Sequence, residues 1–122
     1  MNIDELIAID VHTHAEEPCG CQRDDGYHEF QAGMARYFRN PAGAQGMLPT
    51  VQETATYYRE RKIGLIMFTV DSESKLGRRR IPNEEIAQAA RENSDMMIAF
   101  ASIDPHKGKM GAREAERLIK EE

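Results

Sequence analysis

His12 and His14 are separated by one residue at the end of an apolar segment, within the run DVHTH at positions 10–14. Side chains two positions apart on an extended strand point to the same face, so the two imidazoles can converge on one divalent metal ion. Zn²⁺ is the ion that we expect, and Mn²⁺, Fe²⁺ and Co²⁺ are alternatives. Asp10 has the same parity and is expected one layer deeper on this face. The other interpretation is a pair of partly exposed histidines that are hydrogen-bonded to loops.

Further candidate residues follow the two later apolar segments of the chain. Asp71 and Asp104 each close such a segment, where they either contact substrate or a metal ligand, or simply cap a loop. His106 lies just beyond the third segment and is either a substrate or metal contact or a turn residue. Arg78 opens a run of three arginines, which either binds a substrate carboxylate through paired hydrogen bonds or is a solvated charge run. The candidate substrate-binding residues are therefore Asp71, Arg78, Asp104 and His106, and no catalytic residue is assigned.

Residues 15–49 form an unusually long connection that is rich in glycine, proline and charge. Long loops inside compact domains are usually functional or disordered. This one leaves the end of the histidine-bearing segment, where α/β folds build their sites, so we expect an active-site loop with a helix from Glu29 to Arg39. His28 could then belong to a lid over the site. Cys19 and Cys21 are either soft metal ligands or, more commonly for two cysteines without a companion pair, free thiols.

Three apolar segments alternate with three amphipathic segments along the chain. The apolar segments are short and nearly continuous, which is typical of strands in a parallel sheet that is covered on both faces. A strand followed by a helix, three times in succession, predicts right-handed crossovers and therefore an α/β fold. The predicted strands are Leu6 to Val11, Gly64 to Val70 and Met96 to Ile103.

The three predicted helices have recognisable starts and one apolar face each. Thr50 and Glu53 have the spacing of a capping box, which predicts a helix that runs to about Arg61. Pro82 opens the second helix, and the third begins near Met110. The side chains predicted to face the core are Val51, Ala55 and Tyr58 in the first helix, Ile86, Ala89 and Ala90 in the second, and Ala115, Leu118 and Ile119 in the third.

The bulk properties of the sequence predict one globular domain, residues 1–122. Hydrophobic residues make up 40% and charged residues 30% of the chain, and the net charge of −5 argues against a nucleic-acid-binding surface. No apolar run approaches the roughly 20 residues that span a bilayer, and the acidic N-terminus does not resemble a signal peptide. Cys19 and Cys21 are too close for an ordinary disulfide and fit a reducing compartment. We therefore expect a cytoplasmic protein without a membrane or nucleic-acid partner.

Four segments of the chain together resemble a known family. They are IDVHTH, GLIMFTVD, RRRIPNEEIAQAA and FASIDPHKGKMGAREAERLIKE, and they span nearly the whole sequence in this order. They resemble the amidohydrolase superfamily, most closely its amidohydrolase-2, decarboxylase-like branch. The resemblance implies a (β/α)8 TIM barrel with one divalent metal at its carboxyl-terminal mouth, bound in part by His12 and His14. A full barrel needs about 250 residues, so this chain would form the first three β-α units.

The function that this resemblance implies is a metal-dependent hydrolase acting on a small carbonyl or carboxylate substrate. A decarboxylase, which is a lyase, is the first alternative, and a non-catalytic half-barrel that serves as an assembly module is the second. The family's further ligands, a histidine from a middle strand and an aspartate from the last strand, have no counterpart in this sequence. Three strands also leave an open edge and an uncovered face, so we expect a homo-oligomer or an N-terminal fragment that is inactive alone.

Overall fold

A computed structural model describes residues 1–15, 26–39, 48–77 and 79–121 of the chain. Cys19, Cys21 and Arg78 therefore lie outside the described residues. Among the described residues, no helix is both long and apolar enough to cross a membrane. The elements in chain order are β1 (Ala8–His14), α1 (Gly26–Tyr37), α2 (Val51–Glu60), β2 (Ile63–Phe68), α3 (Glu73–Leu76), α4 (Asn83–Glu92), β3 (Met97–Ala99) and α5 (Lys109–Glu121), with 3₁₀ turns at Ile3–Glu5 and Pro105–Lys107.

The three strands form one small parallel sheet in the order β1-β2-β3. Ala8 pairs with Ile63 at the start of β1, and Leu65 pairs with Met97 where β2 meets β3. Among the described elements, α1 and α2 lie between β1 and β2, and α3 and α4 lie between β2 and β3, which is the usual form of the long crossover between parallel strands. The predicted α/β class and parallel pairing are confirmed, and the described strands form an open sheet.

One face of this sheet carries the hydrophobic core. Leu65 and Met67 of β2 are fully buried there, against Val51 and Ala55 of α2 and Ile86 of α4. Full burial of a large aliphatic side chain stabilises a fold by about 1.5–3 kcal/mol. The predicted inward faces of α2 and α4 are confirmed, and we call this side of the sheet the helix-covered face.

The opposite face of the sheet is open, apart from Gly64, which the N-terminal residues Met1 and Leu6 cover. Ile9 of β1 pairs with Gly64 and Ile98 of β3 pairs with Ile66, so both isoleucines lie on this face. They are 43% and 41% exposed. Gly64 and Ile66 alternate with the buried core residues of β2 and therefore point away from the helices. Coverage of both faces, which the apolar runs suggest, is wrong for the described residues. The uncovered face expected of three strands is confirmed.

Several predicted elements have different boundaries in the structure. Strand β1 runs from Ala8 to His14 instead of from Leu6 to Val11, and β2 runs from Ile63 to Phe68 instead of from Gly64 to Val70. Helix α1 begins and ends earlier than the predicted span from Glu29 to Arg39, and it also includes the backbone of His28, whose side chain is not described. Strand β3 stops at Ala99 and does not reach Ile103. The side-chain amide of Asn83 donates to the carbonyl of Ser102 at 3.0 Å, and its oxygen accepts the Ser102 N–H at 2.9 Å. The Asn83 side chain therefore occupies the backbone groups of Ser102 that a longer β3 would have paired with a neighbouring strand.

The predicted inward position of Ile119 in α5 is wrong. Its side chain is 85% exposed, whereas that of Leu118 is only 6% exposed. Successive residues of a helix are about 100° apart, so a narrow contact stripe that buries one of them leaves the next in solvent.

The capping box of α2 is confirmed and gives a first prediction. The Thr50 hydroxyl accepts the Glu53 N–H at 3.2 Å, and the Glu53 carboxylate accepts the Thr50 N–H at 2.8 Å. Thr50→Ala should lower the free energy of unfolding by about 1 kcal/mol in urea denaturation. Thr56→Ala is the control, because Thr56 is exposed within the same helix and its hydroxyl bonds only to the carbonyl of Gln52. Equal losses in both variants would contradict a special role for the cap.

Candidate metal-binding site

The strand that carries the histidines contains a β-bulge. Asp10 pairs with Leu65 and Thr13 pairs with Met67, so two residues of β1 lie opposite a single residue of β2. Leu65 and Met67 both point to the helix-covered face, and Asp10 and Thr13 therefore lie on that face too. The ordinary alternation of β1 is interrupted at this point.

The predicted position of Asp10 on the histidine face is wrong, and the bulge is the reason. One carboxylate oxygen of Asp10 accepts the His12 N–H at 3.0 Å, and the other accepts the Tyr58 hydroxyl at 2.7 Å. The first contact is an Asx turn, in which an aspartate side chain bonds to the backbone two residues later. The Tyr58 hydroxyl and the His12 N–H hold the pKa of Asp10 below its ordinary value, against the opposing effect of burial.

His12 and His14 lie together on the open face. Their ring centroids are 4.8 Å apart, and the ring of Phe68 meets each of them edge-on, at 5.1 Å from His12 and 4.9 Å from His14. His14 pairs with Phe68 across the sheet, and both residues end their strands. Since Zn–N bonds are about 2.0–2.1 Å long, two coordinating nitrogens at a tetrahedral angle are about 3.4 Å apart. Nitrogens on the ring perimeters can approach more closely than the centroids, so the pair is compatible with joint coordination.

The pair supplies two ligands only. Among the residues that the structure describes, no group of three or more histidine, cysteine, aspartate or glutamate side chains could hold a metal ion. Catalytic zinc sites usually keep three protein ligands and one open position. The described part of the chain therefore offers half of a site. The side chains of His28, Cys19 and Cys21 are outside that part.

Asp71 lies at the centre of a buried ionic cluster, which we call the Asp71 cluster: Asp71, Glu73, Arg80, Lys107 and Glu114. The Asp71 side chain is fully buried, and its carboxylate accepts hydrogen bonds from Lys107 at 2.7 Å and from Arg80. Lys107 also bonds to Glu73 at 2.8 Å, and Arg80 pairs with Glu114. Burial alone would raise the pKa of Asp71, but Lys107, the Asp104 N–H and Arg80 together lower it.

Asp104 caps the loop that follows β3. Its carboxylate accepts the Ser74 N–H at 3.0 Å, the Ser74 hydroxyl and the His106 N–H at 2.9 Å. Its own N–H donates to Asp71 at 2.9 Å, so the loops after β2 and β3 are joined by the two aspartates. These are the contacts expected of loop caps, and substrate binding by either aspartate stays a prediction. The side chain of His106 is exposed.

Several residues with clear structural roles were not singled out from the sequence as parts of a site. Phe68 could have been found from its parity, because it alternates with the buried residues of β2 and ends the strand beside the histidines. Tyr58 was predicted only as a core residue, and its hydroxyl contact to β1 has no local sequence signal. Lys107 comes from a loop far along the chain, and only the fold brings it to Asp71.

No family model, curated protein or solved structure matches this chain. The fold and the site therefore define an α/β protein with an open three-stranded parallel sheet and a histidine pair at the carboxyl end of its first strand.

The Asp71 cluster predicts acid sensitivity. The pKa of Asp71 is lower in the folded chain than its ordinary value of 3.8, and that of Glu73 is lower than 4.5. Carboxylates of this kind stabilise the fold above their unfolded pKa values, and the contribution is lost as the pH falls through the folded values. The free energy of unfolding should therefore decrease as the pH drops below about 4.5.

Asp71→Asn tests this prediction. The variant should lose about 2–4 kcal/mol at pH 7, because Arg80 and Lys107 keep their charges without their shared partner. Its stability should also change less than that of the wild type between pH 6 and pH 3, measured by urea denaturation. Glu116→Gln is the matched control, since Glu116 forms an exposed pair with Lys120. Parallel pH profiles for Asp71→Asn and the wild type would refute the prediction.

Proposed function

We propose that this chain is part of a metal-dependent hydrolase of the amidohydrolase-2 type, in which His12 and His14 bind one divalent metal ion. The observation that carries the proposal is the placement of both imidazoles on one face, 4.8 Å apart, at the carboxyl end of a parallel strand. The carboxyl ends of parallel strands are where α/β folds build their sites. Zn²⁺ is the favoured ion, with Mn²⁺, Fe²⁺ and Co²⁺ as alternatives.

The open face of the sheet supports a barrel as the complete architecture. In a (β/α)8 barrel all helices lie outside and the inner face is filled by branched apolar side chains. Here α2 and α4 pack on one face, while the opposite face carries Ile9, Ile66 and Ile98. The histidines share this second face, which would be the interior of the barrel. The sequence resemblance described above supports the same arrangement.

The residues of this chain would hold the metal and shape one side of its surroundings. Phe68 packs edge-on against both imidazoles, which limits the rotamers that they can adopt and keeps water from that side. A bound metal would polarise a carbonyl or carboxylate oxygen of a small substrate and lower the pKa of a coordinated water. Among the proposed substrate contacts that the structure describes, His106 is the most accessible, because it is exposed whereas Asp71 and Asp104 are buried. Decarboxylation at the same centre is the alternative reaction.

Titration with Zn²⁺, followed by the imidazole NMR signals, tests the metal site. The signals of His12 and His14 should shift together and saturate at the same Zn²⁺ concentration, because both rings bind one ion. His106 is the internal comparison, since it is proposed as a substrate contact and not as a metal ligand, and it should not shift at that concentration. His12→Ala should remove the response of His14. The proposal would be refuted if the signals of His12 and His14 did not change, or if the His106 signal shifted at a lower Zn²⁺ concentration than theirs.

A non-catalytic assembly module is the second candidate function, and the open apolar face favours it. Ile9 and Ile98 are each more than 40% exposed on a surface that parallel sheets ordinarily bury. A second copy of the chain that covered this face would bury both side chains. We therefore propose that the chain is a homo-oligomer in solution.

Sedimentation velocity of the variant Ile98→Ser tests self-association. The substitution places a hydroxyl on the open face and should shift the association midpoint to at least tenfold higher protein concentration. Ile119→Ser is the matched control, because this isoleucine is 85% exposed on α5, a helix outside the sheet. A wild-type chain that remains monomeric at all concentrations, or equal effects of both substitutions, would exclude assembly through this face.

A further inference from the structure

We propose that Tyr58 and Asp10 are positioning residues that direct the histidine pair to the open face of the sheet. The proposal rests on the proposed metal site, because it names the residues that orient the two ligands. It goes beyond that site by assigning a role to a tyrosine on another element of the fold.

The register of β1 and β2 shows why the orientation needs support. Asp10 lies opposite Leu65, on the helix-covered face. If β1 continued from there as a regular strand, His12 would lie opposite Met67 and His14 opposite Thr69, both on the helix-covered face. A one-residue change of register moves every later side chain to the other face. The bulge supplies that one residue, and His14 consequently pairs with Phe68 instead.

Two hydrogen bonds to one carboxylate hold the bulge. Asp10 accepts the His12 N–H at 3.0 Å through one oxygen and the Tyr58 hydroxyl at 2.7 Å through the other. The Asx turn alone would leave the carboxylate free to rotate on an edge strand. Tyr58 removes this freedom, because its ring packs on the core from α2 and fixes the position of the hydroxyl. The orientation of His12 is thus tied to the packing of a helix on the opposite face.

The neighbouring Tyr57 provides a matched control. Its side chain is 55% exposed, and its ring stacks against the guanidinium of Arg61, 3.5 Å from the ring centroid. Both tyrosines lie on α2, so loss of either hydroxyl is the same chemical change in the same helix. Of the two tyrosine hydroxyls, that of Tyr58 is the one that donates to β1 in the described structure.

The test compares Tyr58→Phe with Tyr57→Phe, using chains that circular dichroism shows to be folded. In the metal-free state, Tyr58→Phe should change the NMR shift and speed the hydrogen exchange of the His12 amide, whereas Tyr57→Phe should leave both unchanged. Tyr58→Phe should also weaken Zn²⁺ binding by about tenfold, the low end of the range for direct partners of metal ligands, because Tyr58 reaches His12 through Asp10. Asp10→Ala should reproduce both effects. Asp10→Asn should retain part of the wild-type behaviour, because its amide oxygen can still accept the His12 N–H.

The two measurements separate this proposal from the proposed function. A wild-type chain without Zn²⁺ binding would refute the metal site, and the His12 amide of the metal-free chain would still decide the role of Tyr58. A wild-type amide signal in Tyr58→Phe would overturn the positioning role whatever the metal result. Zn²⁺ affinity that falls equally in both tyrosine variants would overturn it as well, because the effect would then belong to α2 and not to the contact with Asp10.

Discussion

Side chains alternate between the two faces of a strand, and the sheet of this chain has one face packed with helices and one face open. The position of the histidine pair depends on which face it occupies. On the helix-covered face, two imidazoles would replace packing around Leu65 and Met67, and each buried polar ring without a partner would cost about 1–3 kcal/mol. On the open face they meet each other and the ring of Phe68. One inserted residue in β1 makes this difference.

The loops after β2 and β3 are ordered by charge. Exposed ion pairs contribute about 0–1 kcal/mol each, but the side chains of Asp71, Arg80 and Lys107 are at least four-fifths buried. Removal of one partner from such a group leaves a desolvated charge, which is why the group acts as a unit. The Asp71 cluster therefore fixes the loops at the carboxyl ends of β2 and β3. Of its members, Asp71 alone was among the residues that the sequence suggested as substrate contacts.

Much of the fold could be predicted from local patterns. The capping box at Thr50, the helix start near Pro82 and the strand–helix alternation depend on neighbouring residues only, and all three agree with the structure. The pairing of His12 with His14 on one face follows from their spacing in the same way. The position of Asp10 could not be predicted, because strict alternation does not anticipate a bulge that is stabilised by a tyrosine 48 residues away. The early end of β3 likewise depends on a distant side chain, that of Asn83.

The incomplete ligand set of the proposed metal site and the open apolar face have one geometric origin. The histidines and the exposed isoleucines Ile9 and Ile98 lie on one side of the sheet. Any element that covered this side would bury apolar side chains, each worth about 1.5–3 kcal/mol when fully buried. The same element would lie beside the two imidazoles, where a third ligand is needed. The proposed catalysis and the proposed assembly are therefore not independent alternatives, because both require the open face to be covered. The identity of the covering residues would decide whether the histidine pair becomes a complete metal site.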